Sequence, residues 1–290
     1  MIKNELLKEC LERYELVKKN INLWEGNIEK FILEDVEFLV KNNLYSIMGE
    51  YNDASIFSQV ILNDISKVKQ YSYLCGIATV LSINCFDNSE HLHIQSCMQN
   101  NNVLLSDNLD LINEYANLKN SNYYSNAKFS PLASCLQALI RDDFEFLEKI
   151  GIPNMEKSLL IKKNKIIEPD LNFFLGMMEK NEKKIKDAIT ILATKLHKTR
   201  NREMIFLNNF ISVPALTYAK LAWLKGIEVE IDNPLIPKDL LPFKPNKEYF
   251  GLNFMKNSIV HEYFEKKKEE VRMKKENYWK ELKEKGELKF

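Results

Sequence analysis

Apolar positions along this chain recur mostly at helical spacing. Leu6, Leu7, Cys10, Leu11, Tyr14 and Val17 fall on one face of a first helix, and Ile28, Phe31, Ile32, Val36, Leu39 and Val40 on a second. Asp53 is placed to cap a third, carrying Ile56, Val60, Ile61, Ile65 and Val68. Tyr71 to Phe86 is uncharged and rich in small residues, the pattern of an interior helix. Asn100 to Asn102 then reads as a loop, and Ser106 as the cap of a helix bearing Leu109, Ile112, Tyr115 and Ala116.

The polar, Asn- and Ser-rich stretch from Lys119 to Ser130 is the natural break, and beyond it the pattern becomes rhythmic. Pro131, Pro169 and Pro214 each open an apolar helix, because a first-turn residue needs no donor N–H. These helices reach turn residues at Asp142-Asp143, Lys180-Asn181 and Gly226, and their openings lie 38 and 45 residues apart. That spacing falls within the range of helix-pair repeats.

The last of the three begins the most distinctive stretch. Ser212 stands at the cap position before Pro214, and Ala215 to Leu224 is apolar nearly all round, with Lys220 its single charge, so the helix is expected to be buried. Gly226 is expected to end it at a positive φ. Ile227, Val229 and Ile231 alternate with Glu228, Glu230 and Asp232 as a short extended segment near 227–232, which Pro234 and Pro237 then pin. From about Asn253, Val260, Phe264, Val271, Tyr278 and Leu282 form one stripe along a Lys/Glu-rich helix.

The expectation is therefore an all-α chain of stacked helical hairpins, α-solenoid-like or an irregular bundle, with a long C-terminal helix. Its parts are a helical region 1–118, a linker 119–130, helix pairs 131–252 containing the proline-rich segment 232–245, and a final helix 253–290. Eight Gly and eight Pro in 290 residues are too few for a turn-rich all-β protein.

Charge refines this picture. The chain carries 41 acidic and 41 basic side chains, an unpromising balance for a direct nucleic-acid binder. Between Gln70 and Leu118, however, no Lys or Arg occurs, while Asp87, Glu90, Asp107, Asp110 and Glu114 do. Compensating bases gather from Lys157 to Arg202. A surface short of bases can attract a basic protein and hold it by charge complementarity. The opening residues lack the apolar core of a signal peptide, no apolar run reaches membrane-spanning length, and the five cysteines include no C-x-x-C pair. A cytoplasmic protein with reduced thiols and no membrane partner is expected.

Candidate chemistry is sparse. Cys85, His91, His93 and Cys97 match no common zinc spacing, and Glu265 occupies the place of the second histidine that would follow His261-Glu262 in a zincin helix. His197 reads as solvent-facing. Glu34-Asp35 and Asp142-Asp143 diverge as neighbours on a helix, whereas acid–base work needs convergence. No phosphate-binding or nucleophile-elbow motif occurs, so no catalytic residue, metal or cofactor is expected.

The residues from Phe210 to Phe243 resemble the C-terminal signature of bacterial polymorphic-toxin immunity proteins. The likeness is closest to the immunity protein 49 family and more distant to the PoNi immunity proteins. It rests on the helix Pro214 to Trp223, the helix-ending Gly226, acidic Glu228–Asp232, and Asn233-Pro234-Leu235-Ile236-Pro237 closing on Leu240-Leu241. Pro131-Leu132-Ala133 to Ala138-Leu139, with Asp142-Asp143, is similar to that family's helix–turn–helix units. The resemblance implies an all-α, non-catalytic protein that binds and blocks a cognate toxin. A basic toxin, such as a nuclease domain, would dock on Asp87, Glu90, Asp107, Asp110 and Glu114. Ser212, Pro214, Gly226, Asp232, Pro234 and Pro237 would belong to the scaffold. Two alternatives stand beside it: a helical-repeat adaptor binding peptides near Tyr123 and Tyr124, and an enzyme whose site assembles only in three dimensions.

Overall fold

A computed structural model describes residues 4–86, 101–118, 131–202 and 206–284. All regular structure among them is helical. Helices α1 (Asn4–Leu33), α2 (Glu37–Phe57, continued by a π turn Ser58–Leu62) and α3 (Ile65–Phe86) pack side by side. Residues 101–105 are helical, and α4 follows at Leu109–Ala116. Then come α5 (Pro131–Ile140), α6 (Ile152–Leu159, entered through Phe144–Gly151), α7 (Glu168–Glu179), α8 (Glu182–Ala193) and α9 (Val213–Leu224). A last helix, α10 (Ser258–Glu284), returns to lie on α3. One cluster of buried side chains runs from Cys10 to Phe264.

The proline-opened helices end as their turn residues predict. In each, a residue at positive φ lets two backbone amides reach back to the last free carbonyls. Gly226 has φ 77°, with Gly226 N donating to Trp223 O at 3.0 Å and Ile227 N to Ala222 O at 2.9 Å. Asp142 (φ 59°) and Lys180 (φ 52°) do the same for α5 and α7. Each of these two is followed by a side-chain cap: Asp143 Oδ1 accepts from Phe146 N at 3.1 Å and Asn181 Oδ1 from Lys184 N at 3.1 Å. Between α7 and α8 the backbones come so close that a Cβ on Gly176 would lie 2.9 Å from Ile185 Cγ1.

Several local expectations are corrected. The apolar spacing of 28–40 crosses a helix break at Asp35 (φ 56°), which closes α1. Asp53 lies inside α2 and caps nothing; the next cap is Asp64, whose Oδ1 accepts from Lys67 N at 3.1 Å after Asn63 turns at φ 47°. Asn101 and Asn102 are not a surface loop but buried helical residues. Asn102 Nδ2 donates to Asn52 Oδ1 at 2.9 Å, and Thr217 Oγ1 to Asn101 Oδ1 at 3.3 Å. Those bonds offset part of the cost of burying the two amides, Asn101 Nδ2 being left without a partner. Asn108, not Ser106, caps α4, its Oδ1 accepting from Leu111 N at 2.8 Å.

Helix α9 is the hub. Ala215, Ala219 and Ala222 have no exposed surface, which lets neighbours approach its backbone. Successive polar side chains tie it outward. Thr217 reaches 101–105, Tyr218 Oη donates to Asp170 Oδ1 on α7 at 2.5 Å, and Lys225 Nζ lies 2.7 Å from Asp142 at the α5 turn. Asp170 is itself clamped by Arg200, at 2.5 and 2.9 Å. Ser212 holds the cap position but its side chain caps nothing; Asn201 Oδ1 accepts from Val213 N at 2.9 Å in its place. Pro214 sits in the first turn.

The segment after Gly226 is extended without pairing into a strand, with Val229 and Ile231 buried and Glu228, Glu230 and Asp232 exposed. Asn233 Oδ1 and O accept from Leu235 N and Ile236 N, and Leu235 O accepts from Ser212 N at 2.9 Å, so the Pro234–Pro237 turn is fastened to the start of α9. On α10, Val260 and Phe264 are fully buried, Val271 nearly so, and Tyr278 is 44% exposed, so the stripe has left the core by Tyr278.

Candidate partner-binding face

A single buried carboxylate organises the region that the acidic stretch reaches. Asp107 turns the chain at φ 52° before α4 and has no exposed surface. Its Oδ1 lies 2.5 Å from Lys220 Nζ and its Oδ2 2.9 Å from Lys69 Nζ, and Oδ2 also accepts from Lys244 N at 3.1 Å. Lys69 donates in addition to Lys244 O, and Lys220 to Leu241 O and Pro242 O. Three separated stretches thus meet on one side chain. Burial pushes the Lys220 ammonium below the ordinary lysine range, with the Asp107 charge opposing and Lys69 adding to the fall.

Above this floor the segment 243–250 lies across α3 as a strap. Gln70 exchanges two hydrogen bonds with the Phe250 backbone, at 2.8 and 3.0 Å, and Asn246 Nδ2 donates to Ser66 O at 2.9 Å. Tyr249 Oη donates to Ser106 O and accepts from Asn246 N, while its ring meets that of Tyr73 at 4.6 Å. Between strap and α4 opens a cleft of about 400 Å³ lined by Tyr73, Asn108, Leu109, Phe243, Pro245 and Tyr249, among others.

Asp110 and Glu114 are exposed on α4 beside this cleft. The Tyr73 hydroxyl is raised above its usual range by burial first and then by the charge of these two carboxylates. Leu109 and Phe250 are 53% and 70% exposed. An aromatic cleft with an acidic edge and exposed apolar rim suits recognition of a basic, partly apolar surface.

The expected docking residues therefore divide. Asp110 and Glu114 share one exposed helix face. Asp107 is a correction: it faces inward and serves the scaffold, because two buried ammonium groups need a counter-charge. Asp87 and Glu90 lie outside the described residues, as do His91, His93, Cys97, Tyr123 and Tyr124. The sequence reading missed Lys69, Tyr73 and Tyr249, which lie far apart in the chain and carry no motif; the one available signal was Lys220, the single charge in the apolar helix α9.

The remaining chemistry-bearing groups take structural roles. Cys75, Cys85 and Cys135 are buried, and burial lifts their thiols to about 12, well into the protonated range at neutral pH. His197 is not solvent-facing: it is half-buried, with Nε2 donating to Asn208 O at 2.6 Å and Nδ1 accepting from Asn201 Nδ2 at 3.2 Å. Among the described residues no three His, Cys, Asp or Glu side chains gather as a metal would require.

A family model described as immunity protein 49 matches residues 102–240, just under half of the chain. The match spans α4 to α9 and the Pro234–Pro237 turn. It begins well upstream of Pro131, where the sequence resemblance was carried, and so takes in Asp107, Asp110 and Glu114. No curated protein and no solved structure matches the chain.

Proposed function

Residues 102–240 belong to the immunity protein 49 family, and from that premise we propose that the protein binds and neutralises a cognate bacterial toxin without catalysis. The family match carries this reading. The toxin would be encoded beside it and would act in the cytoplasm, where the immunity protein meets it. The toxin domain is proposed to be basic, a nuclease being one such domain, and to dock on the α4 face of Asp110 and Glu114 over the aromatic cleft. Two features support that choice. The face belongs to a stretch without Lys or Arg from Gln70 to Leu118, and its apolar rim would be covered on binding.

Co-expression with the neighbouring toxin gene tests the role: cells should survive only when this chain is present. The double substitution Asp110→Lys, Glu114→Lys tests the face. Both side chains are exposed, so folding should be unaffected while association slows on the order of tenfold at low salt. A toxin that kills regardless of this chain would sink the role. Unchanged association by the double variant would move the docking face elsewhere.

A further inference from the structure

The bases missing from the acidic stretch collect between Lys157 and Arg202, and the fold draws the two ends of that run together. Arg200 Nη1 donates to Ile166 O at 3.2 Å, which seats the turn after α8 against the 3-10 turn Lys162–Ile167. Lys157, Lys162, Lys163, Lys165, Lys195 and Lys198 are exposed on these two neighbouring segments. Neither 157–167 nor 194–202 contains an acidic residue. Among the described residues, none of the six lysines has a carboxylate at ion-pair distance. Lysines on the outer helices commonly do, as Lys8–Glu12 and Lys268–Glu265 show.

Between Lys157 and Lys162 on the first of these segments stand Leu160 and Ile161, 86% and 51% exposed. They are held out. The turn that carries them is closed by Ile161 N donating to Ser158 O at 3.1 Å and Asn164 N to Ile161 O at 2.8 Å. Asn164 Nδ2 clamps it further, donating to Ser158 Oγ at 2.9 Å and to Ser158 O at 3.2 Å. Folding alone gives no reason to display two aliphatic side chains on a tied turn, since their exposure forgoes the gain of burial.

We propose that this face docks on an anionic lipid bilayer, with Leu160 and Ile161 entering the boundary between headgroups and acyl chains and the lysines lying among the headgroups. An aliphatic tip ringed by mobile point charges is the arrangement that interfacial binding uses. A protein partner fits less well. Interface centres favour Tyr, Trp and Arg and are depleted in Lys, and two aliphatic side chains make too small a core. Nucleic acid would satisfy the lysines but leave the aliphatic tip in water. The contact is peripheral, since no described helix is long and apolar enough to cross a membrane, and it departs from the sequence expectation of no membrane partner. The inference uses none of the residues assigned to toxin binding.

Co-sedimentation of the full chain with vesicles tests it, comparing phosphatidylcholine alone with phosphatidylcholine containing about 30% phosphatidylglycerol. Pelleting is expected only with the anionic vesicles, falling at least tenfold between about 0.05 and about 0.5 M NaCl. Lys162→Glu with Lys163→Glu should lower partitioning by about tenfold or more, and Leu160→Asn with Ile161→Asn several-fold at unchanged net charge. All four side chains are exposed, so an unchanged melting temperature should accompany both losses. No pelleting, equal pelleting on both vesicles, or an unaffected Leu160/Ile161 variant would overturn the proposal. So would binding to a short DNA duplex, followed by fluorescence anisotropy, without binding to the vesicles.

Discussion

Asp107 shows how far a residue's role departs from its type. In the sequence it is one of five acids in a stretch without bases; in the fold it neutralises Lys69 and Lys220 in the interior. Asp107→Ala should cost about 3–5 kcal/mol, because it leaves two ammonium groups buried without a counter-charge. Lys220→Met should cost less, since Lys69 still pairs the carboxylate; urea midpoints would rank the two. Asp53 makes a second residue-level case. Burial on α2 raises its carboxyl from 3.8 to about 6, helped by Glu50 and opposed by the Asn52 hydrogen bond and Arg13. Between those values the folded chain holds more proton than the unfolded one, so this group's contribution to stability falls as pH rises through the window and is level above it. Asp53→Asn should remove that slope and raise stability at pH 7 by about 1 kcal/mol. Denaturation followed from pH 4 to pH 7 would show it.

At the scale of elements, one device recurs: a residue at positive φ closes a helix and an Asn or Asp beside it caps the next. Asn63-Asp64, Asp107-Asn108, Asp142-Asp143 and Lys180-Asn181 all follow it. The last two were legible because a proline opening and an apolar run framed them. The first two were not, for apolar spacing continues across Asn63 and Ser106 is an equally good cap by type. Gly226 lacks the following cap and releases the chain into the extended segment. A Cβ there would meet no atom within 4 Å, so Gly226→Val should cost about 1–2 kcal/mol through φ alone. Asn201→Ala should cost about 1 kcal/mol by uncapping α9. Toxin binding by either variant should fall only in proportion to the unfolded fraction, measured by calorimetry beside thermal melting.

For the whole molecule, the segment matched by the family is not independent of what flanks it. Lys69 lies upstream of it and Lys244 downstream, yet both bond Asp107 within it. Glu25 on α1 likewise accepts from Tyr51 Oη at 2.7 Å and from Asn253 Nδ2 at 3.0 Å, joining the first helices to the approach of α10. Phe264, fully buried against Phe86 and Phe254, should cost about 3–5 kcal/mol as Phe264→Ala. Ending the chain after Lys275, beyond Val271, the last buried position of the stripe among the described residues, should leave the urea midpoint nearly unchanged.

Local patterning was enough to determine that the chain is helical, where the proline-opened helices begin and end, that α9 is buried and that the segment after Gly226 is extended. Those features depend on neighbours within one or two turns, through backbone donors, φ preference and side-chain periodicity. The tertiary structure alone decided which acids are surface and which are counter-ions. It also decided that Tyr73 and Tyr249 share a cleft, and that base-rich segments some thirty residues apart are joined through Arg200 and Ile166. Burial of a charge is settled by groups that reach it from distant stretches of chain, and no local pattern encodes that.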